Sequence, residues 1–413
     1  MPVARYNTPV RPLLVMVSDI HLTDQLRSAA VSRAAQFERF WIRIQAARGQ
    51  RPAELCFVGD LFDLVRSPRW LEGDARPYHD PEGRPVRAAV GDIVDAILAR
   101  EADFFSAIRR RVESGELVVH YLAGNHDRLL LHAPAARRAV SRALTGGDSL
   151  RIEAEREFPH HGVLAFHGHV CDPINFHPDG GATIGDAIGM ELILRFPQAV
   201  RQLAGADQPG LEILDDVDDV RPVYAVPAWV RQVGGVRREL LRPVSKVWGE
   251  LVEEFLDNDF VSRWLRDRRR AFAFDVGKKL RLLLALSRSR IMARAHDERM
   301  TRLYRVLQLA FDGKMSTHGA GALVERTGLR YVVNGHSHFA SMRPLGSLAG
   351  RPAVYFNTGT WRTVHQIGHD VGGRPSFLPY DAMSYLVFFP EGDPMGRDFE
   401  WWTGALVTSA GHG

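Results

Sequence analysis

Residues Leu117–Asp127 read LVVHYLAGNHD: a mostly apolar run, then Ala-Gly, then Asn125, His126 and Asp127 in succession. A short apolar, β-branched run bounded by glycine reads as a buried strand, because a buried helix needs roughly ten residues or more. Three polar side chains in a row have no place inside a core, so they mark the point where the strand emerges.

The same pattern recurs along the chain. LLVMVSDIH (Leu13–His21) ends in Asp19 and His21, and ELCFVGDLFD (Glu54–Asp63) ends in Asp60 and Asp63. GVLAFHGHVCD (Gly162–Asp172) carries His167 and His169, and LRYVVNGHSH (Leu329–His338) carries His336 and His338. AVYFNTGTW (Ala353–Trp361) and SYLVFF (Ser384–Phe389) also read as strands but end without such a cluster. Between these runs, Leu26–Ala47 places Phe37, Phe40, Trp41 and Ile44 at helical spacing, and Ile93–Val112 does the same with Ile97, Phe104, Phe105 and Ile108. Strands alternating with helices predict an α/β fold whose polar residues gather at the C-terminal strand ends, the edge where open α/β sheets bind ligands.

Composition bounds the alternatives. At 413 residues the length prior of about 150 per domain suggests two or three domains. With 45% hydrophobic and 25% charged residues the chain is of the soluble globular class. Its net charge of +4 favours an anionic partner without naming one. Two cysteines, Cys56 and Cys171, rule out a disulfide scaffold and fit buried thiols in a reducing compartment. The N-terminal apolar run Leu13–Val17 is too short for a signal-peptide core, and no run approaches the roughly 18 residues of a membrane span. A cytoplasmic protein without a transmembrane segment is the expectation.

From 172 to 328 the strand pattern lapses. Gly180-Gly181, the acidic stretch LDDVDDVRP (Leu214–Pro222) and several prolines punctuate its first part, and Trp229–Phe311 is helix-like and arginine-rich. This predicts a core formed by 1–171 and 329–413, with a mostly helical cap inserted at 172–328.

Pooled, the strand ends supply Asp19, His21, Asp60, Asn125, His167, His336 and His338. Mixed carboxylate and imidazole donors suit Mn, Fe or Zn better than Mg or Ca, which prefer all-oxygen shells. Seven donors exceed one ion but fit two ions about 3.5–4 Å apart sharing a carboxylate, the arrangement for in-line displacement at phosphorus. Such a pair neutralises phosphoryl oxygens and acidifies a water, while the leaving alkoxide still needs a proton from a placed imidazole.

Taken in order, SDIH, GDLFD, GNHD, a histidine-bearing fourth strand end and NGHSH resemble the five motifs of the calcineurin-like metallophosphoesterases. The resemblance covers Leu13–Asp172 and Leu329–Trp361. It implies a four-layer α/β/β/α sandwich of two mixed sheets and a hydrolase with two divalent ions, most often manganese, with iron or zinc as alternatives. By the same resemblance, Asp19, His21 and His338 hold one ion, Asn125, His167 and His336 hold the other, and Asp60 bridges. His126 contacts the phosphoryl group or protonates the leaving oxygen, with Asp127 orienting it. Asp63 orients a ligand or caps the following turn. In the fourth motif either His167 or His169 could reach a metal. His167 matches the family's ligand, leaving His169, with Arg128, as candidate substrate contacts. Cys171 is read as a structural thiol rather than a ligand.

The HGHVCD stretch is similar to the fourth motif of the UDP-2,3-diacylglucosamine hydrolase-like branch, which also carries a helical lid and cleaves a pyrophosphate. The chain departs from that branch in its length, in His126 where arginine is usual, and in His169 where aspartate is usual. The expected substrate is an anionic phosphodiester or pyrophosphate, nucleotide- or lipid-linked. A nuclease, a phosphoprotein phosphatase and a non-catalytic metal-binding scaffold are the alternatives. The basic segment 263–294, with Trp264, Leu265, Phe272, Phe274 and Leu280–Leu286 between its charges, could contact the inner membrane face or a nucleic acid, or be an ordinary helix pair with its apolar side inward.

Overall fold

The computed structural model describes residues 11–24, 32–177, 181–205, 211–221, 229, 241–267, 276–288, 317–369 and 375–406. Its centre is β1 (Leu13–Val17), buried at every residue. Successive strand side chains point to opposite faces, so Leu13, Val15 and Val17 enter one apolar cluster while Leu14 and Met16 enter another.

Strands β2 (Ala53–Val58), β3 (Leu117–Leu122) and β4 (Ile152–Glu153) extend from β1 in parallel. The second sheet takes β5 (Glu155–Phe158), β6 (Val163–Phe166), β8 (Tyr331–Asn334), β9 (Ser341–Leu348) and β10 (Arg351–Asn357), in the order β5-β6-β8-β10-β9. On the other side of β1 the first sheet continues with β12 (Pro375–Phe388), antiparallel, which also pairs with β11 (Thr363–His369) and β13 (Phe399–Leu406). Both sheets are therefore mixed. They meet through Leu14, Met16, Cys56 and Val58 from one side and Val163, Ala165, Val333 and Phe356 from the other.

Helices cover the outer faces. The first sheet carries α1 (Arg33–Arg48), α2 (Arg84–Arg100), α3 (Ala102–Glu113) and α4 (Pro134–Thr145), whose apolar residues join its outer cluster. The single helix predicted over Ile93–Val112 is in fact the end of α2 and the whole of α3, broken at Glu101. The buried positions Ile97, Phe104 and Ile108 keep their helical phase across the break, so periodicity cannot see it.

The described parts of 172–328 are helical apart from β7 (Val220–Arg221), a two-residue strand that sequence reading missed and that extends the first sheet beside β11. They include α5 (Ile184–Ala187), a π-helical stretch Ile188–Leu194, α6 (Arg195–Ala204), α7 (Leu241–Asp257), α8 (Asp259–Asp267) and α9 (Val276–Arg288), followed by α10 (Thr317–Thr327) on the second sheet. Ile184, Met190, Phe196, Leu214, Val252 and Leu265 lie in one continuous apolar cluster with Val15 and Phe57. Trp264, Leu265, Leu280 and Leu284 are buried there too. In the described part of 263–294 these apolar side chains thus face the molecule's own core and are not available to a membrane or to bases. Phe272, Phe274 and residues 289–294 lie outside the described residues. No described helix is long and apolar enough to cross a membrane.

Candidate metal site

Five strand ends, those of β1, β2, β3, β6 and β8, bring the predicted residues to one place. The backbone makes the convergence. Asp19, His21, Asp60, His336 and His338 all have positive φ, between 52° and 70°, and among the described non-glycine residues only Ala349 joins them. The left-handed region costs a side-chain-bearing residue about 1–2 kcal/mol, so five such residues at one edge represent strain concentrated at a site.

Glycines provide the room. A Cβ on Gly124 would sit 2.1 Å from Asp60 Oδ1, one on Gly59 would strike the His167 ring, and one on Gly335 would strike Ser18 and Asp19. Gly124 has no positive φ, so its service is close approach rather than a left-handed turn. Gly124→Ala is expected to push Asp60 aside, destabilise the fold by about 1–3 kcal/mol and reduce bound metal. Denaturant titration beside elemental analysis checks both effects.

The donors form two overlapping groups. His21 Nε2 and His338 Nε2 face each other at 3.1 Å, with Asp19 Oδ1 at 3.7 and 3.2 Å from them respectively. On the other side Asn125 Oδ1 lies 3.2 Å from His167 Nε2 and 3.0 Å from His336 Nδ1. Asp60 stands between, its Oδ2 3.6 Å from His21 Nε2 and 3.1 Å from His167 Nε2, while Oδ1 accepts the backbone N–H of His126 at 2.8 Å. All seven predicted donors are thus together, and Asp60 occupies the shared position. His126 forms a further converging trio with His21 and Asp60.

The outer hydrogen bonds set the tautomers. His167 Nδ1 lies 2.8 Å from the Val58 carbonyl and His336 Nε2 lies 2.9 Å from Asp172 Oδ2, so each of these nitrogens donates outward and the other turns a lone pair inward. Asp19 Oδ1 is buried and accepts no hydrogen bond from the described residues. Burial alone would raise Asp19 and Asp60, but His338 beside the first and His167 beside the second hold both well below the usual carboxylate range. Burial pushes His167 down, and Asp60 outweighs it, carrying the imidazole up to about 10, so the inward lone pair is available only where a bound cation would take the place of the proton there. Inward lone pairs, an orphaned carboxylate oxygen and a field that favours positive charge fit bound cations.

Three expectations need correction. Asp127 does not orient His126. It accepts from Leu61 N, Tyr121 Oη and Gly124 N at 2.9, 2.7 and 2.6 Å, fully buried behind the turn, and burial beside Asp60 lifts its carboxyl to about 7. The carboxylate on His126 is Asp63, whose Oδ1 lies 3.0 Å from Nδ1 and whose Oδ2 lies 3.5 Å from His21 Nδ1. Arg128 is not free for substrate: its guanidinium forks onto Asp186 of the insertion and donates to the Asn125 carbonyl. Removing Asp186 strands that buried cation, and Asp186→Ala is expected to cost about 3 kcal/mol on denaturant unfolding with little change in metal content.

His167 and His169 do not both reach the donors, because β6 ends at Phe166 and Gly168, at φ 105°, turns the chain. His167 sits among the donors, whereas His169 lies beside them with its ring 5.5 Å from that of His167. Burial, with His167 and His336 nearby, lowers His169 to about 3, so it is a neutral ring. Cys171 belongs to none of the converging groups among the described residues. Asp172, Arg66 and Ser18 were not found from sequence. Asp172 does close the fourth motif, but nothing in its type tied it to His336.

A cavity of about 560 Å³ opens beside His167, His169 and Gly124, closed on its far side by Phe176 and His177 of the insertion. Leu131, Val170 and Phe166 line it beside Asp80, and two of its charged residues are paired, Arg128 with Asp186 and His132 with Glu82.

No protein-family model matches the chain, and no curated protein matches it.

Proposed function

We propose that the chain is a dinuclear metal-dependent phosphoesterase of the calcineurin-like kind, its two mixed sheets and outer helices being that family's sandwich, and that it hydrolyses a phosphodiester or pyrophosphate bond. One observation carries this reading: seven donors from five strand ends meet around one shared carboxylate, and five of the seven pay backbone strain to do so. Asp19, His21 and His338 would hold one ion, Asn125, His167 and His336 the other, with Asp60 between them. Manganese is the first expectation and iron or zinc the alternatives. When bound, the ions supply Lewis-acid neutralisation of the phosphoryl oxygens and acidify the attacking water.

The chain's own residues do the rest. Asp60 is held in register by the His126 N–H, and Asp63 fixes the His126 ring so that Nε2, the nitrogen left over, meets the leaving oxygen. The cavity beside His167 takes one ester substituent, and with Leu131, Val170, Phe166 and the Asp80 carboxylate in its lining it suits an organic group that is not anionic better than a second phosphate.

The test is chelation followed by readdition of Mn²⁺. Turnover of bis(p-nitrophenyl) phosphate, p-nitrophenyl phosphate and a nucleotide-sugar pyrophosphate is then measured beside metal content. Two ions per chain and metal-dependent cleavage of a diester or pyrophosphate support the proposal. A protein that binds no metal and cleaves none of the three overturns it.

A further inference from the structure

The acidic stretch of the insertion reaches the back of the site. Asp218 contacts Arg66 and lies 2.7 Å from Arg362 Nη2, and Asp219 contacts the same guanidinium. Both arginines are buried, at 4% and 2% exposure, so these are internal ion pairs rather than surface ones. Arg66 continues inward: its Nη2 pairs with Asp63 Oδ2 at 2.7 Å and stands 3.3 Å from His21 Nδ1 and 3.5 Å from His126 Nδ1.

A buried guanidinium is planar and holds two carboxylates in fixed directions. With Asp218 on one nitrogen and Asp63 on the other, Arg66 sets where the Asp63 carboxylate stands, and Asp63 sets the His126 ring. Without Asp218 the fork loses one of the two carboxylates that fix its direction, and Asp63 shifts with it. A displacement of about 1 Å at a reacting group can cost up to 10²-fold in rate.

We infer that Asp218 is a positioning residue. Through Arg66 and Asp63 it aims His126, so the acidic stretch that carries Asp218 is a fixed part of the active site and not a lid that opens over it. This rests on the reading of His126 as proton donor to the leaving group. Neighbouring contacts agree with a fixed insertion. Asp186 holds Arg128 after β3, and Glu191 of the π-helical stretch accepts from Arg76 and Tyr78 of the loop after β2 at 2.8 and 2.7 Å.

The experiment compares full-length wild type, Asp218→Asn, Asp218→Glu and Asp219→Asn, all Mn²⁺-loaded, on two phosphodiesters. One leaves as p-nitrophenolate, which needs no proton, and the other as an alkoxide, which does. For Asp218→Asn, kcat is expected to fall about 10-fold on the alkyl ester and less than 2-fold on the nitrophenyl ester, with KM and metal content unchanged. Asp218→Glu restores most of the loss, and Asp219→Asn, at the carboxylate on Arg362, leaves the ratio of the two rates unaltered. Equal losses on both esters, or no loss on either, overturn the inference.

Histidine side-chain ¹⁵N resonances of the metal-free proteins give a readout independent of turnover. Asp218→Asn should shift those of His126 and His21 and leave those of His161 in place. If the wild type cleaves neither ester, the functional proposal has failed and the resonances alone decide: moved signals support the relay, and unmoved ones overturn it. Should Asp218→Asn not fold, Arg66→Lys, which keeps the charge but not the fork between Asp218 and Asp63, is read for the same split, and an unchanged ratio with unmoved resonances then overturns the inference.

Discussion

Asp60→Asn should abolish turnover and strip the protein of most of its metal. The carboxylate is fully buried, with Oδ2 3.6 Å from His21 Nε2 and 3.1 Å from His167 Nε2, so it stands between the two halves of the site. Amidation keeps its size and removes its charge. The remaining six donors, with Asp19 as the sole carboxylate among them, then lack the second anion that helps balance two dications. The loss in kcat is expected to exceed 10³-fold, beyond the 10²–10⁴ range's lower part assigned to any single proton-transfer group. Elemental analysis of the dialysed variant should show less than one ion per chain. Full metal content with wild-type turnover would remove Asp60 from the bridging role. Folding should survive, because the backbone at Asp60 is held by bonds that Asn keeps, including the acceptance of His126 N–H by Oδ1.

How far the sequence reveals this site follows from what each residue depends on. Asp19, Asp60, Asn125, His167 and His336 sit where an apolar run stops, and the stop is visible in the sequence because burial demands apolar side chains up to the last ladder residue. Parallel strands β1, β2 and β3 then carry their ends to the same edge, so the pooled donor set is legible before any coordinates. The choice between Asp63 and Asp127 as partner of His126 is not legible. Both are carboxylates near it, and the direction of the turn after β3, with Gly124 and Tyr121 capturing Asp127, decides. The strands β9 and β13 escaped because their exposed, partly polar residues lack the apolar run of a core strand. The packing of the insertion is not legible for a related reason. Its acids Asp186, Glu191, Asp218 and Asp219 look like solvated charge in sequence, and only the arginines waiting at the core strand ends, Arg66, Arg76, Arg128 and Arg362, make them buried partners.

His126→Ala should separate chemistry from metal binding. The ring is one-fifth exposed, its Nδ1 is engaged by Asp63 at 3.0 Å, and its centroid lies 4.6 Å from that of His21 in a T-shaped pair. Burial lowers its pKa, and Asp63 and Asp60 pull the other way without cancelling it. If Nε2 protonates the leaving oxygen, removal costs about 10²–10⁴-fold on an alkyl ester and far less on a nitrophenyl ester, whose leaving group departs as a stable anion. Metal content should stay at two ions per chain. The trio His21, Asp60 and His126 gives the opposing outcome a concrete form, since loss of one ion in His126→Ala would make it a ligand instead. Asp63→Asn is expected to fall between the two cases. It frees the His126 ring and also withdraws the carboxylate behind His21, so it should lower kcat on the alkyl ester by about 10²-fold and weaken metal binding by about 10–100-fold, as loss of a carboxylate behind a ligating histidine does. Asp127→Asn, by contrast, touches neither imidazole: its cost is in stability, through the Leu61, Gly124 and Tyr121 bonds it weakens, and the ratio of rates on the two esters should not change.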